Sequence, residues 1–87
     1  MTRDVTQVVC LEGTQLLLTF DDGSRREIDI ATLTDFTGVF EPLRDPRFFR
    51  QVRVVPNLGT IVWPNGADFC PDVLYDNSHP GQRKESA

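Results

Sequence analysis

Asp29, Asp68 and Asp72 are the first candidates for acid–base or metal chemistry in this sequence. Asp29 closes a strand-like run, and the other two follow a Pro64-Asn65-Gly66 turn, where carboxylates on loops could converge on a cation or a proton. The plainer reading is the stronger one. Asp29 precedes a turn and Asp72 stands where the turn at Val73 begins, both places where an aspartate accepts backbone N–H groups. A catalytic constellation also needs a nucleophile or metal and a water-excluding pocket. The single histidine, His79, falls in a polar C-terminal stretch and is expected to be solvated, which removes Ser–His, Cys–His and His-based metal schemes. Cys10 and Cys70 lie far apart without further cysteines, so no disulfide framework or CxxC zinc site is expected, and each reads as a small buried hydrophobe.

Two other groups of residues could bind rather than react. Trp63, Asn65 and Asp68 surround a turn whose indole offers a flat apolar surface and whose Asn-Gly backbone offers donors. Against this stands the core reading, in which a lone Trp ends a strand, its N–H finds a carbonyl, and Pro64 stops the ladder. Arg44, Arg47 and Arg50 recur every three residues, with Arg53 following, and on a helical turn they would form an exposed stripe for an acidic partner or a phosphate backbone. Glu41 and Asp45 beside them suit an ordinary solvated face.

The 87 residues allow one domain with a small core. A net charge of −4 makes nucleic acid an improbable partner, because neutralising phosphates requires clustered cations. No apolar run approaches a membrane span, and the N-terminus has no signal-peptide pattern, so a cytoplasmic location is expected. The phosphate-cradling glycine loops, HExxH and GxSxG are missing from the sequence, so a binding or regulatory module is expected in preference to an enzyme, with no cofactor and no metal.

The elements that must position these residues are mostly strands. Residues 5–11 and 16–20 read as a hairpin around Glu12-Gly13-Thr14, and residues 25–30 follow Asp21-Asp22-Gly23-Ser24. Side-chain parity sets the second turn. A two-residue Asp22-Gly23 loop would set Phe20 and Leu18 against Arg25 and Glu27, whereas a three-residue loop sets Phe20 against Ser24 and Leu16 against Ile28. The three-residue loop, with Gly23 left-handed, is therefore predicted, and Arg26 then shares a face with Ile28 and Ile30.

Residues 31–43 read as irregular, anchored by Phe36, Phe40 and Leu43. Asp45 and Pro46 supply an N-cap and a first-turn proline for a brief helix ending near Arg50. Residues 52–55 and 60–63 form a further strand pair. The expectation is a small α+β domain over residues 1–76. It consists of a mainly antiparallel sheet of about five strands, a meander plus a hairpin, with one or two short helices. One face would be covered by Phe36, Phe40, Phe48, Phe49 and Leu74, and residues 77–87 would be a disordered polar tail.

Four segments carry a family resemblance: Leu18-Thr19-Phe20-Asp21-Asp22-Gly23, Ile28-Asp29-Ile30, Pro42-Leu43-Arg44-Asp45-Pro46-Arg47-Phe48-Phe49, and Gly59-Thr60-Ile61-Val62-Trp63-Pro64-Asn65-Gly66-Ala67-Asp68 with Pro71 and Leu74-Tyr75. The chain resembles the bacterial domain-of-unknown-function family 2442 over residues 5–75. The resemblance implies an α+β fold, a prokaryotic cytoplasmic origin and no established activity. Some relatives carry a helix-turn-helix after this domain, and short members are often encoded beside another small protein, as in toxin–antitoxin-like pairs. The expected partner is accordingly a neighbour-encoded small protein or a second copy of the chain. This sequence ends in a polar stretch after Tyr75, so DNA binding of the fused kind does not carry over.

Overall fold

The computed structural model describes residues 3–80. Among these residues six strands form: β1 (Val5–Cys10), β2 (Gln15–Phe20), β3 (Arg25–Asp29), β4 (Arg53–Val55), β5 (Thr60–Val62) and β6 (His79–Pro80). Two helices, α1 (Pro46–Phe49) and α2 (Pro71–Asp76), and 3-10 segments at Ile30–Thr32 and Gly38–Arg44 complete the chain. The main sheet has the order β1-β2-β3-β6, and β4 pairs with β5 in a separate ribbon. This is the expected α+β class with a mainly antiparallel sheet.

The second hairpin adopts the register that parity requires. Leu16 lies opposite Ile28, Phe20 N–H donates to the Ser24 carbonyl at 2.9 Å, and Gly23 is left-handed at φ 87°. Asp22 stiffens the turn by accepting from Ser24 Oγ at 2.6 Å and Ser24 N–H at 2.9 Å. These bonds, led by the hydroxyl, hold its carboxyl below the ordinary range. On β1 the pairing slips between Val5 and Gln7. That bulge lets Val5 and, beyond it, Val8 and Cys10 all face the core despite their mixed parity.

The inner face contributes Val5, Leu16, Leu18, Phe20, Ile28 and Ile30 to one buried cluster, and Leu43, Phe49, Ile61, Trp63, Ala67 and Leu74 close over it. Of the expected cover, Phe49 and Leu74 are buried, while Phe36, Phe40 and Phe48 pack from the margin. Asp45 caps α1 through Arg47 N–H at 2.9 Å, with Pro46 at its first turn. The β4–β5 ribbon is tied to β1 by Val5 N–H on the Gly59 carbonyl at 2.9 Å. Gly59 is left-handed at φ 68°, and a Cβ there would lie 2.5 Å from Asp4 Oδ1.

The ordered chain continues past the expected boundary at residue 76. Ser78 is 6% exposed, and β6 pairs Arg26 with Pro80 and Glu27 with His79. The cause is Arg26, whose guanidinium donates to Ser78 Oγ at 2.7 Å and to the Ser78 carbonyl at 2.8 Å. The remainder of the expected tail, residues 81–87, lies outside the described residues.

The molecule measures 34 × 32 × 18 Å. A sheet packs against a second layer at about 10 Å, so the thin dimension accommodates two layers, and among the described residues no second layer lies on the outer face of the meander.

Candidate interaction surface

Trp63 is 1% exposed, and its indole N–H donates to the Phe49 carbonyl at 2.9 Å. Phe49 and Phe69 pack on it with ring centroids at 5.7 and 6.0 Å. The indole is a core plug and presents no surface to a ligand. Beyond it the chain turns tightly, with Trp63 N–H on the Ala67 carbonyl and Gly66 N–H on the Trp63 carbonyl, both at 2.9 Å. Asn65 is exposed but occupied, donating its amide to the Val39 carbonyl at 2.8 Å and accepting from Ala67 N–H at 3.1 Å. Asp68 is exposed and bridges to Val62. The structure therefore separates Trp63 from Asn65 and Asp68 rather than bringing all three to one rim.

The arginines divide similarly. Arg44 ends a 3-10 segment, and its guanidinium donates to the carbonyls of Phe36 at 3.0 Å and Asp35 at 3.2 Å. It thereby holds the loop in which Phe36 takes a left-handed φ of 59°. Arg47 lies in α1 and Arg50 caps its C-terminus. No continuous helical stripe runs through all three, because Asp45 is extended at ψ 119°, the conformation that a following proline favours. Arg47, Arg50 and Arg53 are exposed.

Among the aspartates, Asp29 accepts from Ala31 N–H at 3.0 Å and from the Thr14 hydroxyl, capping the turn after β3. Asp72 is exposed in the first turn of α2. His79 lies exposed on β6. Among the described residues, no three His, Cys, Asp or Glu side chains are grouped to hold a metal ion. No helix there is long and apolar enough to cross a membrane.

The cysteines depart from the expected burial, Cys70 being exposed and Cys10 half-buried. Cys70 is the N-cap of α2, ahead of Pro71, where the chain turns at the surface. Burial pushes the Cys10 thiol up, against the opposing pull of Arg50. Since thiolate is the reactive form, iodoacetamide at pH 8 is expected to modify Cys70 at least about tenfold faster than Cys10, measured by peptide mass mapping against time. Comparable rates would contradict this placement.

The outer face of the meander holds residues that sequence reasoning missed. One row crosses four strands as Val9, Leu17, Glu27 and His79. The next pairs Gln15 with Asp29 and extends to Leu11, whose N–H donates to the Gln15 carbonyl at 2.9 Å. Val9 is 51% exposed, and Val9, Leu11 and Leu17 all stand apart from the core cluster. The sequence signal was the unbroken run Leu16-Leu17-Leu18, since alternation in a strand must put one of three consecutive leucines on the far side. Beside this apolar end lies a cleft of about 180 Å³ lined by Gln15, Glu27, Ile28, Asp29, Thr32, Asn77 and His79. A second hollow, of about 340 Å³, lies beside the start of β1 and the β4–β5 ribbon and is lined by Asp4, Val5, Thr6, Asp21, Val54 and Pro56.

Comparison with curated proteins and with solved structures gives no match to this chain. A family model does match, that described as protein of unknown function (DUF2442), and it spans residues 5–80, from the start of β1 to the end of β6. With nearly all of the fold inside that match, the chain belongs to the DUF2442 family.

Proposed function

We propose that this domain is a cytoplasmic protein-interaction module, the antitoxin-like or regulatory member of a two-protein pair, which docks its partner on the uncovered face of the meander. The observation that carries this reading is the grouping of exposed Val9 with half-buried Leu11 and Leu17 on a sheet face that no second layer of the described residues covers. Burying three fully exposed side chains of this kind yields about 4.5–9 kcal/mol gross, at about 1.5–3 kcal/mol each, and less here because Leu11 and Leu17 are already half-buried. Association itself costs about 4–15 kcal/mol, so the polar rim must contribute to any stable complex. β1 is an edge strand without charge or proline, and beyond Val5, whose N–H is taken by the Gly59 carbonyl, it places few barriers against a partner at that side.

A non-enzymatic role is supported by the way Asp29 and Asn65 are engaged in backbone bonds. Arg44 is held by two carbonyls, which weakens the nucleic-acid alternative.

The test is co-expression of the tagged chain with the small protein encoded beside it. Co-purification is expected, and Leu17→Glu should reduce the retained partner at least about tenfold while thermal unfolding stays within a few degrees; Val9→Lys serves as an independent variant. Undiminished retention by both variants, or a homodimer in light scattering in place of a hetero-complex, would overturn the proposal.

A further inference from the structure

We infer that the partner adds a strand to the open edge of β1, antiparallel to it, with an acidic side chain facing Arg50 and an apolar one beside Val9. The inference rests on the module reading above and specifies the partner segment. Hydrogen bonding to β2 fixes which backbone groups of β1 are already used. Leu11 N–H donates to the Gln15 carbonyl, and bonded pairs alternate along an antiparallel ladder, so Val9 opposite Leu17 and Gln7 opposite Thr19 also turn their N–H and C=O toward β2. Val8 and Cys10 therefore turn theirs outward, and no backbone group of the described residues takes them. Val5 N–H points the same way and is occupied by the Gly59 carbonyl at 2.9 Å. With the bulge between Val5 and Gln7, that contact stops an added strand short of Thr6. The open edge is thus the segment from Gln7 to Leu11.

The two faces of this edge differ, and they set the side chains of the added strand. On the outer face Val9 is 51% exposed. A residue opposite it falls in a non-hydrogen-bonded pair, the closer kind, with Cα atoms about 4.5 Å apart. An apolar side chain there covers Val9, and a second one opposite Leu11 extends the cover. On the inner side Val8 and Cys10 pack at the margin of the core. Arg50, exposed at the C-terminus of α1, lies near enough to Cys10 to act on its thiol. Arg47 on α1 and Arg53 on β4 are exposed as well, and β4 is in contact with β1. β1 itself carries no charge to offset them. An acidic side chain opposite Cys10 therefore meets a cation at the rim, whereas a basic one meets like charge. Arginine suits the acid in particular, because its planar fork grips a carboxylate through two parallel N–H donors. In such a complex the main-chain bonds supply affinity and the alternating side chains supply selectivity.

The probe is the capped pentapeptide acetyl-Val-Glu-Val-Thr-Thr-amide, titrated into the 15N-labelled chain and followed by amide shifts. In the inferred register its Glu stands opposite Cys10, its second Val opposite Val9 and its first Thr opposite Val8. Shifts are expected from Gln7 to Leu11 and at Arg50. N-methylation of the Glu or of the first Thr, whose N–H groups point at β1, should weaken binding at least about tenfold, and N-methylation of the second Val, whose N–H points away, by less than about threefold. Arg50→Glu, a change at an exposed position that leaves the fold intact, should weaken the Glu peptide and strengthen its Glu-to-Lys counterpart, each by at least about fivefold. Equal losses from N-methylation at both parities, a charge exchange without effect, or shifts confined to another surface would overturn the inference. So would concentration-dependent shifts at Val8 and Cys10 without peptide, which would assign the edge to a second copy of the chain. Capture of the neighbour-encoded protein separates the two levels. Loss in Leu17→Glu with no change in Arg50→Glu removes the acidic strand and keeps the module, whereas no change in Leu17→Glu, Val9→Lys or Arg50→Glu removes both.

Discussion

Trp63→Ala is expected to lower the stability of the domain by about 3–5 kcal/mol, the range for truncating a buried aromatic. A domain of this size holds on the order of 5–10 kcal/mol in total, so one substitution removes a large share of it. At about 4–8 °C per kcal/mol, the midpoint of thermal unfolding should fall by roughly 12–40 °C. Two contributions add. The ring is packed between Phe49 and Phe69, and its removal leaves a void that short, tethered neighbours fill poorly, since Phe49 belongs to α1 and Leu43 to the preceding 3-10 segment. The second contribution is polar. The Phe49 carbonyl accepts the indole N–H inside the core, and an orphaned buried acceptor costs about 1–3 kcal/mol. Trp63→Phe keeps one six-membered ring but loses the donor and part of the indole volume, and should fall between wild type and Trp63→Ala. Urea unfolding of the three proteins provides the measurement. A loss below about 1 kcal/mol in Trp63→Ala would mean that Trp63 is not the plug described.

Much of this arrangement was legible in the sequence where a single physical constraint had one solution. The parity of Leu16, Phe20 and Ile28 admitted only the three-residue turn, and Asp45-Pro46 could only open a helix. The bulge at Thr6 was not legible, because any residue can occupy it and its need arises only when Val5 and Val8 must both face the core. Nor were the 3-10 segments and the loop between them, where the Phe36 carbonyl is satisfied by Arg44 eight positions later. The same contact removed Arg44 from the stripe that its spacing suggested. At the candidate surface, Leu17 could be placed outside by alternation alone, yet its neighbours Glu27 and His79 depend on β6, and β6 has no hydrophobic signature.

β6 has its own determinant, and Arg26→Ala is the substitution that tests it. Arg26 stands opposite Leu18, on the inner face shared with Ile28 and Ile30, where a charge has no place unless it reaches the end of the sheet. It does so by laying its guanidinium 4.2 Å from the centroid of the Tyr75 ring and fixing both Oγ and the carbonyl of Ser78. Tyr75 is in turn set edge-on to Phe20, with centroids 5.0 Å apart, and Arg3 lies 4.1 Å from the same ring. Hydrogen bonds to a charged group contribute about 1.5–3 kcal/mol and a cation–π contact about 0.5–2 kcal/mol. Because the site is only partly buried, a total loss of about 2–3 kcal/mol is expected. Arg26→Lys should recover less than half, since one ammonium cannot form the planar pair of bonds to Ser78 while stacked on the ring. The loss has a local signature. Amide hydrogen exchange at Ser78 and His79 should accelerate well beyond the global change, while Leu16–Leu18 of β2 keep the protection allowed by global stability. Unaltered exchange at residues 78 and 79 in Arg26→Ala would show that β6 is held by its pairing to β3 alone.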